Sequence, residues 1–336
     1  MRSLELFAGG GGLALGIERA GFRHAALIEY DHDSCETLRA NSHTAGTRGK
    51  PWPVRELDAR DYPYERWAGQ IHLLAGGPPC QPFSIAGRHA GDTDSRNMFP
   101  VMVRAARALR PQAILIENVK GLARDVFRPY LDYVGLQLRF PTISPHKDET
   151  WTDHKARLEH FCAERSRPDL EYRVYGPRIF NLVDFGAPQN RQRVFFVALR
   201  SDLDVTWEWP ALTHSREALL YDQWITGAYW SRFALAKPEL SPGLDAILGR
   251  LRRAPRPATF PWRTVRDALT GLPEPVDGRD CPMFANHIGI PGARMYYGHS
   301  GSPYDAPAKT LKAGGHGVPG GENMLLRDDG SVRYFT

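Results

Sequence analysis

The chain has 336 residues, with 43 Lys and Arg against 38 Asp and Glu, so its formal net charge is only +5 and a basic surface by itself does not mark a nucleic-acid partner. Hydrophobic residues at 42% and charged residues at 24% are ordinary for a globular protein, and the length fits about two domains, or one large domain with an insertion. No apolar run approaches the roughly 18 residues of a membrane span and no signal peptide is apparent, while Cys35, Cys80, Cys162 and Cys281 are too scattered for a zinc site or a disulfide scaffold; a reducing, cytoplasmic setting with no metal and no membrane is expected.

Short apolar runs alternate with helical patterns over the first 120 residues. SLELFA predicts a strand, the glycines at 9–12 a tight turn, and LALGIERAG a helix that stops at Gly21. HAALIEY predicts a second strand and DHDSCETLRANS a polar helix. IHLLAGG and QAILIENV read as buried parallel strands, with the helix MFPVMVRAARALRP between them. This order predicts an α/β fold, a doubly wound and mostly parallel sheet. Residues 140–175 read as polar and irregular, and RVFFVALR at 193–200 as one more buried strand. From 201 to 305 the chain is rich in Trp, Pro, Arg and Gly without a sustained period, which predicts a smaller second domain. The expected divisions are therefore 1–200, 201–305 and a returning segment 306–336. No internal repeat or low-complexity tract is present.

The stretch Phe7-Ala8-Gly9-Gly10-Gly11-Gly12 falls where a strand meets a helix, a place where glycines let the backbone approach a ligand closely. It lacks the GxGxxG spacing of a dinucleotide site. Glu29 ends the second strand, where an acidic group can hold ribose hydroxyls, and Asp58 could end a third strand and accept from an adenine amine. From the residues alone both carboxylates are equally well read as helix caps or solvated groups.

GGPPCQPFS follows the strand IHLLA and places Cys80 at the C-terminal edge of the sheet, on a loop made rigid by prolines. Most lone cysteines are packing residues, but a thiol on such a loop can be held as a reactive thiolate. Glu117, in LIENVKG, ends the next strand on the same edge, either as a strand-end cap or as a general acid beside a nucleophile.

FAGGGG, GGPPCQPFS, IENVKG and GAPQNRQRVFFVALR occur in this order over nearly 200 residues, with PAKTLKAGGHG at 307–317 as a further block. Together they resemble the DNA (cytosine-5)-methyltransferase family, whose members differ in the region corresponding to about 201–305 because it reads the target sequence. The resemblance implies methyl transfer from S-adenosyl-L-methionine to carbon 5 of a cytosine flipped out of double-stranded DNA, in the setting of a restriction-modification system. It implies that Cys80 is the nucleophile that adds to carbon 6, and that Glu117 supplies a proton to the ring nitrogen. By the same resemblance Arg193 would grip the base carbonyl, with Arg191 its neighbour; two residues apart on a strand, they would share a face, and either could instead pair with a carboxylate, the reading expected for Arg191. Phe7, Ala8, Gly9, Gly11 and Pro79 would line the cofactor pocket, Glu29 its ribose and Asp58 its adenine. Gln81, Ser84, Gln189 and Arg263 would touch the substrate, and IAGRHAGDTDSRN at 85–97 resembles the family's closing loop. Glu5 stands where the family usually has Asp, a change expected to keep the charge.

RRAPRPATFPWR at 252–263 interleaves basic and aromatic residues and reads either as a DNA-contacting stretch or as a solvated basic face. Family members usually continue into a helical segment with a Gly-Asn pair, absent before Thr336, so a truncated product or a second polypeptide supplying the remainder is expected. Two other readings stay open: a tRNA cytosine-5 methyltransferase, and a catalytically silent DNA-binding module. An NAD oxidoreductase would explain neither Cys80 nor QNRQR.

Overall fold

The computed structural model describes residues 1–41, 51–79, 97–164, 168–240, 242–295, 297, 300–311 and 323–336. The chain divides into two compact units, one of residues 1–179 and 193–208, the other of residues 180–192 and 209–336.

In chain order the first unit begins with β1 (Arg2–Leu6), α1 (Gly12–Arg19), β2 (Arg23–Glu29), α2 (His32–Asn41), β3 (Val54–Glu56) and β4 (Leu73–Gly76). It continues through α3 (Phe99–Leu109), β5 (Ala113–Val119), α4 (Arg128–Arg139), α5 (Trp151–Ala163), β6 (Tyr172–Asn181) and β7 (Gln192–Arg200). The strands form one sheet in the order β3-β2-β1-β4-β5-β7-β6, parallel from β3 to β5, with β7 antiparallel to β5. The strand order reverses beside β1, so the ends of β1 and β4 flank the crevice in which open α/β sheets bind ligands.

Both faces of the sheet are covered. Leu4, Leu6, Ile28, Leu74, Ile114 and Ile116 pack against α3 and α4. On the other face Ala14, Leu27, Leu38 and Trp52 form one cluster, and Ile17, Leu73 and Ala75 another. Burial on two faces is why the strands read as continuous apolar runs and not as alternating ones. Each buried Leu or Ile contributes about 1.5–3 kcal/mol relative to exposure. α3 starts with Pro100 in its first turn, where the missing N–H costs nothing, and stops at Arg110 in the left-handed region.

The stretch 140–175, expected to be irregular, carries the 13-residue helix α5 and the start of β6. α5 is polar almost all round: only His154 and Leu158 are buried. Trp151, Leu158, Phe161 and Cys162 pack it against the main core, and the Thr150 side chain caps it by accepting from Asp153 N–H, with ion pairs such as Lys155–Glu159 on the polar face. A helix with so narrow an apolar stripe leaves little periodicity to read.

The second unit contains β8 (His214–Ser215), α6 (Arg216–Leu220), α7 (Ala228–Arg232), α8 (Asp245–Arg253), β9 (Phe260–Pro261) and α9 (Val265–Leu269). After these come β10 (Ser302–Pro303), β11 (Met324–Leu326) and β12 (Val332–Tyr334), which form a three-stranded sheet. The unit's apolar clusters are Leu219, Tyr229 and Trp230; Leu220, Leu248 and Leu251; and Val265, Ala308 and Leu325. Beside them Asp305 accepts from the Tyr229 hydroxyl at 2.7 Å and from Arg266 Nε at 2.6 Å. Residues 306–336 group with this unit and not with the first, because Ala308 bridges Gln189 and exchanges backbone hydrogen bonds with Pro188 and Asn190. Among the described residues no helix is long and apolar enough to cross a membrane.

Candidate active site

The site is built at the C-terminal ends of β1, β2, β4 and β5. After β1 the backbone enters the left-handed region at Phe7 (φ 58°), Gly9 (φ 52°) and Gly11 (φ 87°) before α1 begins. Gly11 is required on two counts, since a Cβ there would lie 2.8 Å from Leu38 Cδ2 and 3.0 Å from Trp52 Cζ3. At Gly9, by contrast, a Cβ would meet nothing within 4 Å, which leaves room above the turn for a ligand. Ala8 N–H donates to the Ile28 carbonyl and ties the turn to β2.

Glu29 closes the same corner. Its Oε2 accepts from Gly9 N–H at 2.7 Å, and its Oε1 from the Tyr30 and Asp31 amides at 2.8 and 2.9 Å. The structure thus brings Glu29 onto the glycine turn, as a carboxylate with lone pairs still able to accept from a hydroxyl. Asp58 lies two residues beyond the end of β3 and is gripped by Arg60, whose side chain reaches both carboxylate oxygens at 2.6–3.0 Å. That hydrogen bonding holds the Asp58 carboxyl below its ordinary range.

Glu5, one turn upstream, is a correction. It is 1% exposed, its Oε2 has no hydrogen-bond partner, and burial pushes its pKa up to about 8. Burial therefore favours the protonated carboxyl, against the expectation that the Glu for Asp change keeps the charge.

The reaction edge is formed by β4, β5 and β7. β4 ends at Gly76, followed by Gly77, Pro78 and Pro79. Cys80, Gln81 and Ser84, together with residues 85–96 of the expected closing loop, lie outside the described residues. Glu117 and Asn118 end β5 beside this loop: a Cβ on Gly77 would lie 3.3 Å from Glu117 Oε2, and Asn118 Nδ2 donates to the Pro78 carbonyl at 2.8 Å. Arg193, near the start of β7, places Nε 2.8 Å from Glu117 Oε1, with both side chains largely buried. Arg193 of QNRQR is thus paired with a carboxylate. Arg191 precedes β7 and belongs to the second unit, so the argument from a shared strand face does not apply to it; its carbonyl accepts from Leu182 N–H.

Gln189 and Arg263 also belong to the second unit. Gln189 Oε1 accepts from Leu311 N–H at 3.1 Å, so the QNRQR block and the PAKTL block meet there. Arg263 is exposed, close enough to His214 to help lower its pKa, after the larger effect of burial. The basic stretch 252–263 is partly engaged already: Trp262 Nε1 donates to Asp184 at 2.9 Å and Arg256 lies 3.7 Å from Asp222.

Among the described cysteines, Cys35 is fully buried, its thiol pushed up to about 11 mainly by burial, a packing residue and not a nucleophile. The sequence reading missed Asn118 and Asn97. Asn118 stands inside a motif singled out for its glutamate, and an amide next to a strand-end acid was the available signal. Asn97 is buried and donates to the Tyr130 hydroxyl at 2.6 Å, a contact across 33 residues that no local pattern encodes.

The chain matches the family described as C-5 cytosine-specific DNA methylase over residues 1–138 and 152–230. It is 37% identical over 208 residues to the Type II methyltransferase M.NgoMIV of Neisseria gonorrhoeae, covering 62% of this chain and 54% of that protein. It is 33% identical over 211 residues to the Type II methyltransferase M.Eco47II of Escherichia coli, covering 62% and 42%. A third relative, the Type II methyltransferase M.AquIA of Picosynechococcus sp., is 33% identical over 63% of this chain and 76% of its own length. The chain thus spans about half the length of the first two curated relatives it matches.

Proposed function

This chain belongs to the C-5 cytosine-specific DNA methylase family, and from that premise we propose that it methylates carbon 5 of a cytosine in a specific sequence of duplex DNA, as the modification enzyme of a Type II restriction-modification system. The observation that carries the reading is the Glu117–Arg193 pair at the sheet edge, next to the prolines that lead into Cys80.

The glycine corner fits S-adenosylmethionine: open space at Gly9, a carboxylate at the end of β2, and a second at Asp58. Phe7, Ala8, Gly9, Gly11 and Pro79 would line the pocket, Glu29 would accept from the ribose hydroxyls, and Asp58, shared with Arg60, would accept from the adenine amine. When bound, this sulfonium supplies an electrophilic methyl group and needs no metal.

Carbon 5 of cytosine is a poor nucleophile until the ring is made electron-rich. The thiolate of Cys80 adds to carbon 6, and the displaced electron pair moves toward ring nitrogen 3. Glu117 gives that nitrogen a proton, so the charge is neutralised as it develops and carbon 5 becomes enamine-like. Arg193 orients the Glu117 carboxyl through Nε, and its remaining donors suit the cytosine carbonyl oxygen. After methyl transfer nitrogen 3 returns its proton to Glu117, a solvent base takes the carbon 5 proton, and the C–S bond breaks to release the Cys80 thiolate and restore the ring. The base must leave the duplex for this, at a cost of about a few kcal/mol. Arg191, Gln189 and Arg263, with Gln81 and Ser84 on the nucleophile loop, are proposed to hold the DNA.

Transfer of a radiolabelled methyl group to a pool of duplex DNA and to tRNA, side by side, tests the proposal. Label in DNA at cytosine carbon 5, lost in Cys80→Ala, is the expected result. Label confined to tRNA would make the chain an RNA methyltransferase, and label in neither would leave a silent binding module.

A further inference from the structure

The carbonyls of Pro78 and Pro79, the two residues that lead into Cys80, are held by different donors. Asn118 Nδ2 reaches Pro78 O at 2.8 Å, and Met98 N–H reaches Pro79 O at 3.4 Å. Met98 is itself fixed by the residue before it. Asn97 Oδ1 accepts from Phe99 N–H at 3.3 Å in the first turn of α3, and Asn97 Nδ2 donates to the Tyr130 hydroxyl at 2.6 Å. Tyr130, on α4, is buried and packs edge-on against Phe99 and Trp151. We propose that Tyr130 is a positioning residue for the reaction: through Asn97 and the Met98 amide, its hydroxyl fixes the Pro79 carbonyl and with it the backbone from which Cys80 departs.

The proposal rests on the functional reading above. Packing alone does not explain the hydroxyl, because the aromatic contacts of Tyr130 would be made equally by a phenyl ring. The hydroxyl is spent instead on the side chain that sets the position of Met98. A nucleophile must approach carbon 6 to within about 3–3.5 Å in good alignment, and a misplacement of about 1 Å can cost about 10²-fold in rate. A slack Pro79 would degrade that approach while leaving the glycine corner, and cofactor binding, unchanged.

Tyr133 provides a matched control. It lies on the same helix, is equally buried, joins the same aromatic group, and has its hydroxyl hydrogen-bonded to His154 Nδ1 at 2.8 Å, on α5. The test compares Tyr130→Phe, Tyr133→Phe, Asn97→Asp and the unaltered full chain in single-turnover methylation of duplex DNA that the unaltered chain methylates. Adduct formation with 5-fluorocytosine DNA and the Kd values for DNA and S-adenosylmethionine are measured alongside. Tyr130→Phe is expected to slow both methylation and adduct formation about tenfold with both Kd values unchanged. Asn97→Asp, which can still accept from both the Tyr130 hydroxyl and Phe99 N–H, is expected to fall between it and the unaltered chain. Tyr133→Phe is expected to keep the full rate. Full rate in Tyr130→Phe, or an equal loss in Tyr133→Phe, would overturn the proposal. Failure of the unaltered chain to methylate DNA would overturn the functional reading instead, and this inference with it.

Discussion

Arg193 and Glu117 are diagonal neighbours across two antiparallel strands: Arg193 stands opposite Val119 and Glu117 opposite Phe195, and their side chains close to 2.8 Å on one face of the sheet. One carboxyl oxygen of Glu117 is thereby fixed, and the other lies toward Gly77 at the root of the nucleophile loop. In the proposed reaction Arg193 would therefore hold the acid and donate in its own right.

Glu117→Gln keeps the shape of the carboxyl and loses its proton. Turnover is expected to fall about 10²-fold or more with DNA affinity little changed. Arg193→Lys keeps the charge without the planar fork, and is expected to lower kcat at least about tenfold. Steady-state methylation and DNA binding measured on the same preparations check both. Normal turnover with lost binding would remove Glu117 from the chemistry.

Glu5 gives a pH dependence with a definite sign. Its pKa rises from an ordinary 4.5 to about 8 in the folded chain, because burial disfavours the charged form. Between those values the folded state holds a proton that the unfolded state has released. Stability contributed at Glu5 is therefore complete below about pH 4.5 and is lost progressively up to about pH 8, with a slope of at most about 1.4 kcal/mol per pH unit. Glu5→Gln is expected to flatten this part of the profile and to be the more stable protein at pH 8. Denaturant unfolding between pH 5 and pH 9 measures it.

The two glycines of the corner are expected to fail differently. Gly11→Ala adds a methyl group against Leu38 and Trp52 in a left-handed conformation, and is expected to cost well over about 1 kcal/mol of stability. Gly9→Ala carries the backbone strain but no clash, at about 1 kcal/mol, and its methyl group projects into the ligand space. Its main effect is expected to be on S-adenosylmethionine affinity, read by calorimetry next to the melting temperature.

β1, β2, β4, β5 and β7 were legible because burial on both faces turns each into a short apolar run closed by Gly, Pro or a polar residue, whereas the three residues of β3 are partly exposed and form no such run. α5 was not, since only a narrow stripe of Trp151, Leu158 and Phe161 packs on the core and most of its other positions are polar. β6, an edge strand interrupted at Gly176-Pro177, shows neither alternation nor a continuous apolar run. Within the site, Glu29 and Glu117 could be placed because strand ends in a parallel sheet share one edge, whereas Arg193, near the start of the antiparallel β7, was placed through the family resemblance. The burial of Glu5 depends on helices packed over β1, and the grip of Asn118 on Pro78 depends on the pairing of β4 with β5. Both are tertiary facts that residue spacing does not carry.

The central claim is that Cys80 is the nucleophile. The most direct measurement is to incubate the full chain and S-adenosylmethionine with duplex DNA carrying 5-fluorocytosine at its cytosine positions, digest the denaturation-stable adduct, and identify the linked peptide by mass spectrometry. Fluorine cannot leave carbon 5 as a proton does, so the covalent intermediate persists. The expected result is linkage at Cys80 alone, abolished in Cys80→Ser and retained in Cys162→Ser. Linkage at Cys35, Cys162 or Cys281, or trapping that survives in Cys80→Ser, would contradict it.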